Sequence, residues 1–170
     1  PGPVLVHLPK DIMQARTKFV WPEDIVMRSY NPTYKPNLNQ LRRTAEELAK
    51  ARKPIILAGG GVIMANASEV LCELAHELNI PVATTLMGLG AFPANGDLWL
   101  GMVGMHGTYA ANMSINHADL LVCVDARFDD RVTGRLQDVA SHARIVHIDI
   151  DPTSIRKNVA VGVPDDEFDD

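Results

Sequence analysis

The sequence predicts an α/β fold in which helices cover both faces of a mostly parallel sheet. Short, wholly apolar runs such as residues 55–58 are typical of parallel strands that are buried on both faces. Glycine-rich turns follow these runs, and amphipathic helix patterns follow the turns. Because strand, turn and helix recur in this order, the chain is expected to consist of βαβ units. The predicted architecture is a Rossmann-like three-layer α/β/α sandwich.

The individual elements are predicted from caps, breakers and periodicity. Asn39 is expected to cap a helix that ends near Arg52, because Asn is a favoured N-cap and Pro54 prevents continuation. The inward side of the second helix is expected to consist of Val70, Leu71, Leu74 and Leu78. Strands are predicted at residues 55–58, 81–85, 119–124 and 144–150, and helices at residues 39–52, 68–78 and 108–116.

Composition divides the chain into three parts. Residues 1–38 hold an apolar stretch and a proline-punctuated connection, which we interpret as the end of a preceding domain and a linker. Residues 39–164 form the predicted central nucleotide-binding domain, and residues 165–170 form an acidic tail. Because the chain starts at Pro1 and ends in this tail, we expect it to be a domain of a longer polypeptide.

Charge and hydropathy exclude several classes of protein. A net charge of −5 over 170 residues argues against a nucleic-acid partner, which requires a basic surface. No apolar run approaches the roughly 20 residues that cross a bilayer, and no signal peptide is recognisable, so we expect a cytoplasmic protein without a membrane partner. Cys72 and Cys123 are interpreted as small buried hydrophobic residues.

Three glycine-bearing loops after predicted strands are candidates for a ligand site. Gly59, Gly60 and Gly61 stand where backbone N–H groups can approach a phosphate. The dinucleotide fingerprint also requires glycine at the position of Met64, so a tight turn with positive φ explains the run equally well. The other loops are residues 84–90 and 103–108. Each alone is compatible with a simple crossover, but their convergence on one sheet edge favours a site.

Polar residues near the same edge point to binding rather than to catalysis. Arg127 and Arg131 can pair with a phosphate, although a solvated ion-paired loop explains them equally well. Asp149 closes a strand, where an acidic residue commonly accepts a ribose hydroxyl. His106 has no nucleophile or carboxylate beside it, and the histidines lack metal-ligand spacing. The residues therefore predict a nucleotide-like ligand, with no catalytic residue and no metal site.

Three of these motifs resemble a known family. Residues 104–108, 126–131 and 147–151 are similar to the central domain of acetohydroxyacid synthase (acetolactate synthase), in the large catalytic subunit of a thiamine diphosphate-dependent flavoprotein. The resemblance covers residues 1–164. It implies that the domain holds FAD structurally, through Arg28, Gly59, Gly60, Gly61, Thr85, Leu86, Met87, Gly104, Met105, His106, Gly107, Arg127, Asp129, Arg131, Val132, Asp149 and Ile150.

The resemblance also implies the role of the longer protein. That protein is expected to be a transferase that joins pyruvate to a second pyruvate or to 2-oxobutyrate, in branched-chain amino acid biosynthesis. Thiamine diphosphate and Mg²⁺ are expected to bind outside this fragment, which should be inactive alone. The implied partners are the flanking domains, further copies in a homo-oligomer and a regulatory small subunit. The alternatives are the central domain of another thiamine-dependent carboligase or decarboxylase, or a freestanding NAD-binding module.

The chain departs from the family pattern at two places. The family usually has glycine where this chain has Asp125, and a carboxylate there adds bulk and negative charge near the expected flavin diphosphate. The same side chain could instead turn outward to Arg127 or Arg131. After Pro164 the acidic tail replaces a strand and a further acidic contact, so one wall of the adenosine end is expected to be missing.

Overall fold

The structure, a computed structural model, describes residues 3, 5–23, 31–128, 140, 142–155 and 157. The chain forms two compact units, Pro1–Tyr30 and Asn31–Asp170. In the first unit, helix α1 spans Lys10–Gln14 and buries none of its residues. The apolar stretch near the start contains no strand among its described residues, and Leu5 and Leu8 are exposed.

The second unit contains a five-stranded sheet in which every pairing is parallel. Its strands lie in the order β3-β2-β1-β4-β5, which is the order of the doubly wound fold. The strands are β1 (Pro54–Ala58), β2 (Val82–Thr84), β3 (Trp99–Met102), β4 (Leu120–Val124) and β5 (Arg144–Ile148). The helices are α2 (Leu38–Lys50), α3 (Gly60–Met64), α4 (Ser68–Glu77) and α5 (Tyr109–His117), with a 3-10 turn at Leu86–Gly88. The predicted Rossmann-like fold is confirmed, although the sequence did not delimit β3.

Strand β1 shows how the sheet supports a helix layer on each face. Ile55 and Leu57 pack into a core cluster that includes residues of α5. Ile56 and Ala58 pack into a second cluster that includes residues of α3 and α4. Successive side chains of a strand point to opposite faces, so one apolar run serves both layers. Full burial of each large aliphatic side chain contributes about 1.5–3 kcal/mol.

The N-cap of helix α2 lies two residues before the predicted one. The Asn37 side chain accepts the backbone N–H groups of Asn39, at 3.0 Å, and of Gln40, at 3.4 Å. Asn37 has the extended backbone of an N-cap, whereas Asn39 already lies within the first turn. The prediction that Asn39 is the cap is therefore wrong, and the helix ends at Lys50.

Helix α4 buries only one of the four residues that were predicted to face inward, Leu71. Leu71 and Ala75, four residues apart, are its buried side chains. Of the residues expected to face inward, Val70, Leu74 and Leu78 are exposed. Leu74 and Leu78 are exposed because they line an apolar groove toward α2, which lies beside the core rather than within it.

The strand order determines where a ligand can bind. β1 pairs with β2 on one side and with β4 on the other. The chain first extends the sheet through β2 to β3 and then returns to add β4 and β5 on the opposite side. The order therefore reverses between β1 and β4. Loops that leave the carboxyl ends of strands at such a reversal open a crevice, in which ligands of this fold class bind.

Asp119 fastens the start of β4 to the segment that precedes β1. Its Oδ2 accepts the N–H of Arg52 at 2.7 Å, and its Oδ1 accepts the N–H of Lys53 at 2.9 Å. Burial acts to raise the pKa of Asp119, but these backbone hydrogen bonds and the charge of Arg144 outweigh it, so the pKa lies below 3.8. The charged carboxylate is thus the form that holds the two strand starts together.

We expect Asp119→Ala to lower the free energy of unfolding by about 1–3 kcal/mol at neutral pH, because it removes hydrogen bonds to a charged acceptor. The lowered pKa means that this contribution is present above the pKa of an unfolded Asp and is lost as the pH falls through the folded pKa. Urea denaturation over an acid series measures both effects. The exposed Asp97, changed to Ala, is the control and should alter stability by less than about 0.5 kcal/mol. Equal stability of Asp119→Ala and the unaltered chain at neutral pH would contradict the assignment.

Candidate functional site

Five loops meet at the carboxyl edge of the sheet, as the sequence predicted for its glycine-bearing loops. Because all pairings are parallel, every strand delivers its following loop to this one edge. The loops comprise residues 59–61, 85–88, 103–108, 125–128 and 149–150. They contain most of the residues expected to contact a nucleotide.

The loops after β1 and β4 touch through their backbones at the reversal of strand order. The N–H of Gly59 donates to the carbonyl oxygen of Val124 at 2.8 Å. A Cβ atom on Gly59 would overlap the carbonyl of Asp125, and one on Gly61 would overlap the side chain of Asp125. The φ of Gly59 is −95°, and neither Gly60 nor Gly61 has positive φ. The possibility that this run needs positive φ is therefore wrong: close approach is what requires glycine.

The loop after β2 packs against the same turn. The Thr85 hydroxyl accepts the N–H of Gly88 at 3.1 Å and so holds the 3-10 turn. A Cβ atom on Gly60 would lie 3.0 Å from the Cβ of Met87, so a larger residue would require the two loops to shift slightly apart. Leu86 is exposed and Met87 is 75% exposed. This loop therefore presents apolar side chains beside the backbone of residues 59–61.

The loop after β3 is a tight turn clamped by α5. Gly104, at φ +104°, donates its N–H to Asn112 Oδ1 at 2.9 Å, and Asn112 Nδ2 donates to the Gly104 carbonyl at 3.0 Å. A Cβ atom on Gly107 would overlap the carbonyl of Met102 at the end of β3. Met105 is 81% exposed and His106 is exposed, both at the tip. The clamp fixes the base of a loop whose tip faces outward.

Asp125 faces the crevice between α3 and the loop after β5. Its backbone is left-handed, with φ +49°, and its N–H donates to the Ile148 carbonyl at 2.7 Å. Its Oδ1 accepts the N–H of Ile150 at 3.4 Å, and its side chain lies against Gly61. Burial and the nearby charge of Asp149 raise the pKa of Asp125, although the Ile150 hydrogen bond acts to lower it. These contacts correspond to the inward orientation expected for Asp125, whereas a pairing with Arg131 lies outside the described residues.

Asp149 is held by neighbouring protein groups. Its Oδ1 accepts the N–H of Asp151 at 2.8 Å, its Oδ2 lies 3.7 Å from His147 Nε2, and its side chain is 7% exposed. The His147 ring meets Phe128 edge-on at 5.3 Å. Burial lowers the pKa of His147, and the charge of Asp149 opposes that shift. The carboxylate expected to meet a ribose is thus positioned by β5 and by the turn that follows it.

Not every predicted contact can be placed. Arg28, Asp129, Arg131 and Val132 lie outside the described residues, and their roles stay predictions. Arg127 lies in the loop after β4 with its side chain exposed. The carbonyl of Ile150 accepts the N–H of Thr33 at 2.8 Å, which ties the start of the second unit to the end of β5.

Sequence reasoning missed two residues that shape the site. Asn112 lies four residues after Thr108, the N-cap of α5, so the two side chains are neighbours on the helix surface. This spacing was the signal that could have indicated a role for Asn112 at the base of the loop. His147 was considered only as a metal ligand, and its pairing with Asp149 depends on the end of β5. Within the described residues, no group of three or more His, Cys, Asp and Glu could hold a metal ion. No helix in the described ranges is long and apolar enough to cross a membrane.

We expect Asn112→Ala to loosen the loop after β3, because the backbone groups of Gly104 lose both partners. The free energy of unfolding should fall by about 1–2 kcal/mol. Amide hydrogen exchange at Gly104 should speed up more than exchange in β1. Asn116→Ala is the matched control, since Asn116 is an exposed residue of the same helix. Unchanged exchange at Gly104 would show that the clamp does not hold the loop.

Comparisons with known proteins extend over nearly the whole chain. The family model "Thiamine pyrophosphate enzyme, central domain" matches residues 41–166. The chain is 50% identical over 166 residues to the acetolactate synthase large subunit of Buchnera aphidicola subsp. Schizaphis graminum, covering 96% of this chain and 29% of that protein. Identity, length and coverage are the same for the acetolactate synthase isozyme 3 large subunit of Escherichia coli K12. Identity to the acetolactate synthase of Mycobacterium bovis is 49% over 164 residues, covering 96% of this chain and 26% of that protein. The chain spans less than a third of the length of these relatives.

Proposed function

We propose, from the premise that this chain belongs to the family of thiamine pyrophosphate enzyme central domains, that it is the central domain of an acetolactate synthase large subunit and binds FAD. The main observation in support of the binding site is the backbone contact between Gly59 and the loop after β4, at the reversal of strand order. Ligands of doubly wound sheets lie in the crevice at this point. Identities of 49–50% over 96% of the chain support the assignment of the parent enzyme.

The described residues fit an extended dinucleotide in two respects. Residues 59–61 carry no side chains, so a ligand can approach the backbone at the end of β1. Leu86, Met87 and Met105 are exposed at the same edge and offer apolar contact to a flat ring system. The proposed contacts comprise Gly59, Gly60, Gly61, Thr85, Leu86, Met87, Gly104, Met105, His106, Gly107, Arg127, Asp149 and Ile150, together with Arg28, Asp129, Arg131 and Val132 from outside the described ranges.

FAD has a structural role in this proposal. When bound, it adds a rigid aromatic ligand that links the loops of the carboxyl edge, and no redox step is assigned to it. The side chains that reach the crevice bind and orient: Asp149 is held ready as an acceptor, and the backbone of residues 59–61 lies open to close approach. We assign no catalytic residue to this chain.

The parent enzyme proposed here joins pyruvate to a second pyruvate or to 2-oxobutyrate, using thiamine diphosphate and Mg²⁺ that bind to other domains. Relatives whose names include "large subunit" support a smaller regulatory partner. The flanking domains, and further copies in a homo-oligomer, are the other proposed partners. Its proposed location is the cytoplasm. The 170-residue chain alone is expected to form no acetolactate.

Isothermal titration with FAD tests this function, with NAD as the competing ligand. The titration uses the unaltered chain and, beside it, the Asp125→Gly variant, which carries the residue that the resemblance implies at this position. We expect FAD to bind more tightly than NAD. Adding Met87→Ala should weaken FAD binding about three- to tenfold, because an exposed apolar contact is removed.

Met64→Ala is the matched control, since Met64 is 71% exposed but lies at the far end of α3. It should leave the affinity for FAD within about twofold. Tighter binding of NAD than of FAD would contradict the proposal and favour a freestanding NAD-binding module. Acetolactate formation by the chain alone would contradict its assignment as a non-catalytic domain.

A further inference from the structure

The loop after β4 carries a side chain where its backbone favours glycine. Asp125 has φ +49°, a left-handed conformation that glycine adopts without cost and that Asn and Asp tolerate better than other residues do. The neighbouring strand β5 holds the backbone here, because the Asp125 N–H donates to the Ile148 carbonyl at 2.7 Å. The direction of the side chain therefore follows from the sheet and not from a free rotation of the loop.

That side chain spans the crevice of the proposed FAD site. On one side, Asp125 Oδ1 accepts the N–H of Ile150 at 3.4 Å. On the other side, a Cβ atom on Gly61 would lie only 2.7 Å from Asp125 Oδ2. The carboxylate thus lies between the first turn of α3 and the loop after β5, at the point where the strand order reverses.

Two charged or titratable side chains at the end of β5 act on the carboxylate. The carboxylate of Asp149, at the end of β5, adds a like charge that acts to raise the pKa of Asp125. His147 acts to lower that pKa. Burial lowers the pKa of His147, so its ring is mainly neutral at neutral pH. Burial likewise raises the pKa of the Cys123 thiol in β4, which stays uncharged. Helix α3 contributes no titratable side chain, since its sequence is Gly-Gly-Val-Ile-Met.

We propose that Asp125 is a specificity-determining residue whose carboxylate competes with the diphosphate of the ligand for the same part of the crevice. Its carboxylate takes the Ile150 N–H and places a negative charge in the crevice that the diphosphate must enter. The consequence is that FAD binds more weakly at neutral pH than it would with an uncharged residue at this position, whereas phosphate-free nucleosides bind without this penalty. The inference rests on the proposed FAD-binding function.

The test compares the FAD affinity of the unaltered chain with that of Asp125→Asn and Asp125→Gly, by isothermal titration and flavin fluorescence at neutral pH. Asn keeps the shape of Asp and tolerates positive φ, so it removes the charge alone. We expect Asp125→Asn to bind FAD at least about tenfold more tightly, and Asp125→Gly to gain further because it also frees the Ile150 N–H. Adenosine, the phosphate-free probe, should bind all three proteins within about twofold.

Two controls separate this effect from a change in fold or in overall charge. Asp97→Asn removes the same charge from an exposed position before β3, at the amino edge of the sheet, and should leave FAD affinity within about twofold of that of the unaltered chain. Circular dichroism and urea midpoints of both Asp125 variants should show the native fold. If Asn misfolds, the change in FAD affinity with pH, compared between the unaltered chain and Asp125→Gly, still tests the role of the charge.

Acidification supplies an independent readout. As the pH falls through the raised pKa of Asp125, the unaltered chain should gain FAD affinity and approach the affinity of Asp125→Asn. Asp125→Asn lacks the titrating carboxyl at this position, so the pH-dependent difference between the two affinity profiles reports on Asp125. A difference in affinity that stays constant over the acid range would overturn the role of its charge.

The outcomes distinguish this inference from the function on which it rests. Equal FAD affinities of the unaltered chain and both variants would overturn the role of Asp125 and leave the FAD site standing. A gain with Gly but none with Asn would also overturn it, because bulk and not charge would be responsible. If none of the three proteins binds FAD, the FAD site itself is refuted and the inference falls with it.

Discussion

The backbone contact between the loops after β1 and β4 is the constraint on which the site depends. Gly59 donates to Val124, and the space where its Cβ would lie is filled by the carbonyl of Asp125. A side chain at Gly59 would push the two loops apart at the one place where the strand order reverses. The positions of α3 and of the loop after β5, and therefore the shape of the crevice, follow from this contact.

The buried sheet and its parallel strands bring the two loops together and stabilise the contact between them. Consecutive apolar residues such as Ile55 and Ile56 pack against the helix layers on opposite faces of the sheet, which the crossover helices cover. Parallel pairing delivers every following loop to one edge, where Asn112 and Thr85 fix the loops by hydrogen bonds. We propose that the resulting surface holds the ligand and that the reacting groups of the parent enzyme belong to its other domains.

The fold could be predicted from local sequence patterns, whereas contacts between distant segments could not. The apolar run at residues 55–58 and the glycines after it were enough to predict the βαβ units and the edge on which the loops converge. The orientation of Asp125 was left open because its acceptor role depends on Ile150, 25 residues away. The exposure of Leu74 in α4 was missed for a similar reason. Leu74 faces a groove toward α2, and periodicity alone does not reveal that groove.

An amide chemical-shift titration of the ¹⁵N-labelled Asp125→Gly chain with FAD tests the location of the site most directly. We expect the amides of Gly59, Gly61, Gly104 and Ile150 to shift progressively with FAD, because all lie at the carboxyl edge of the sheet. The amide of Lys53, which is bound to Asp119 at the amino edge, should stay in place. Shifts confined to the amino edge or to the groove between α2 and α4 would contradict a flavin site at the reversal of strand order.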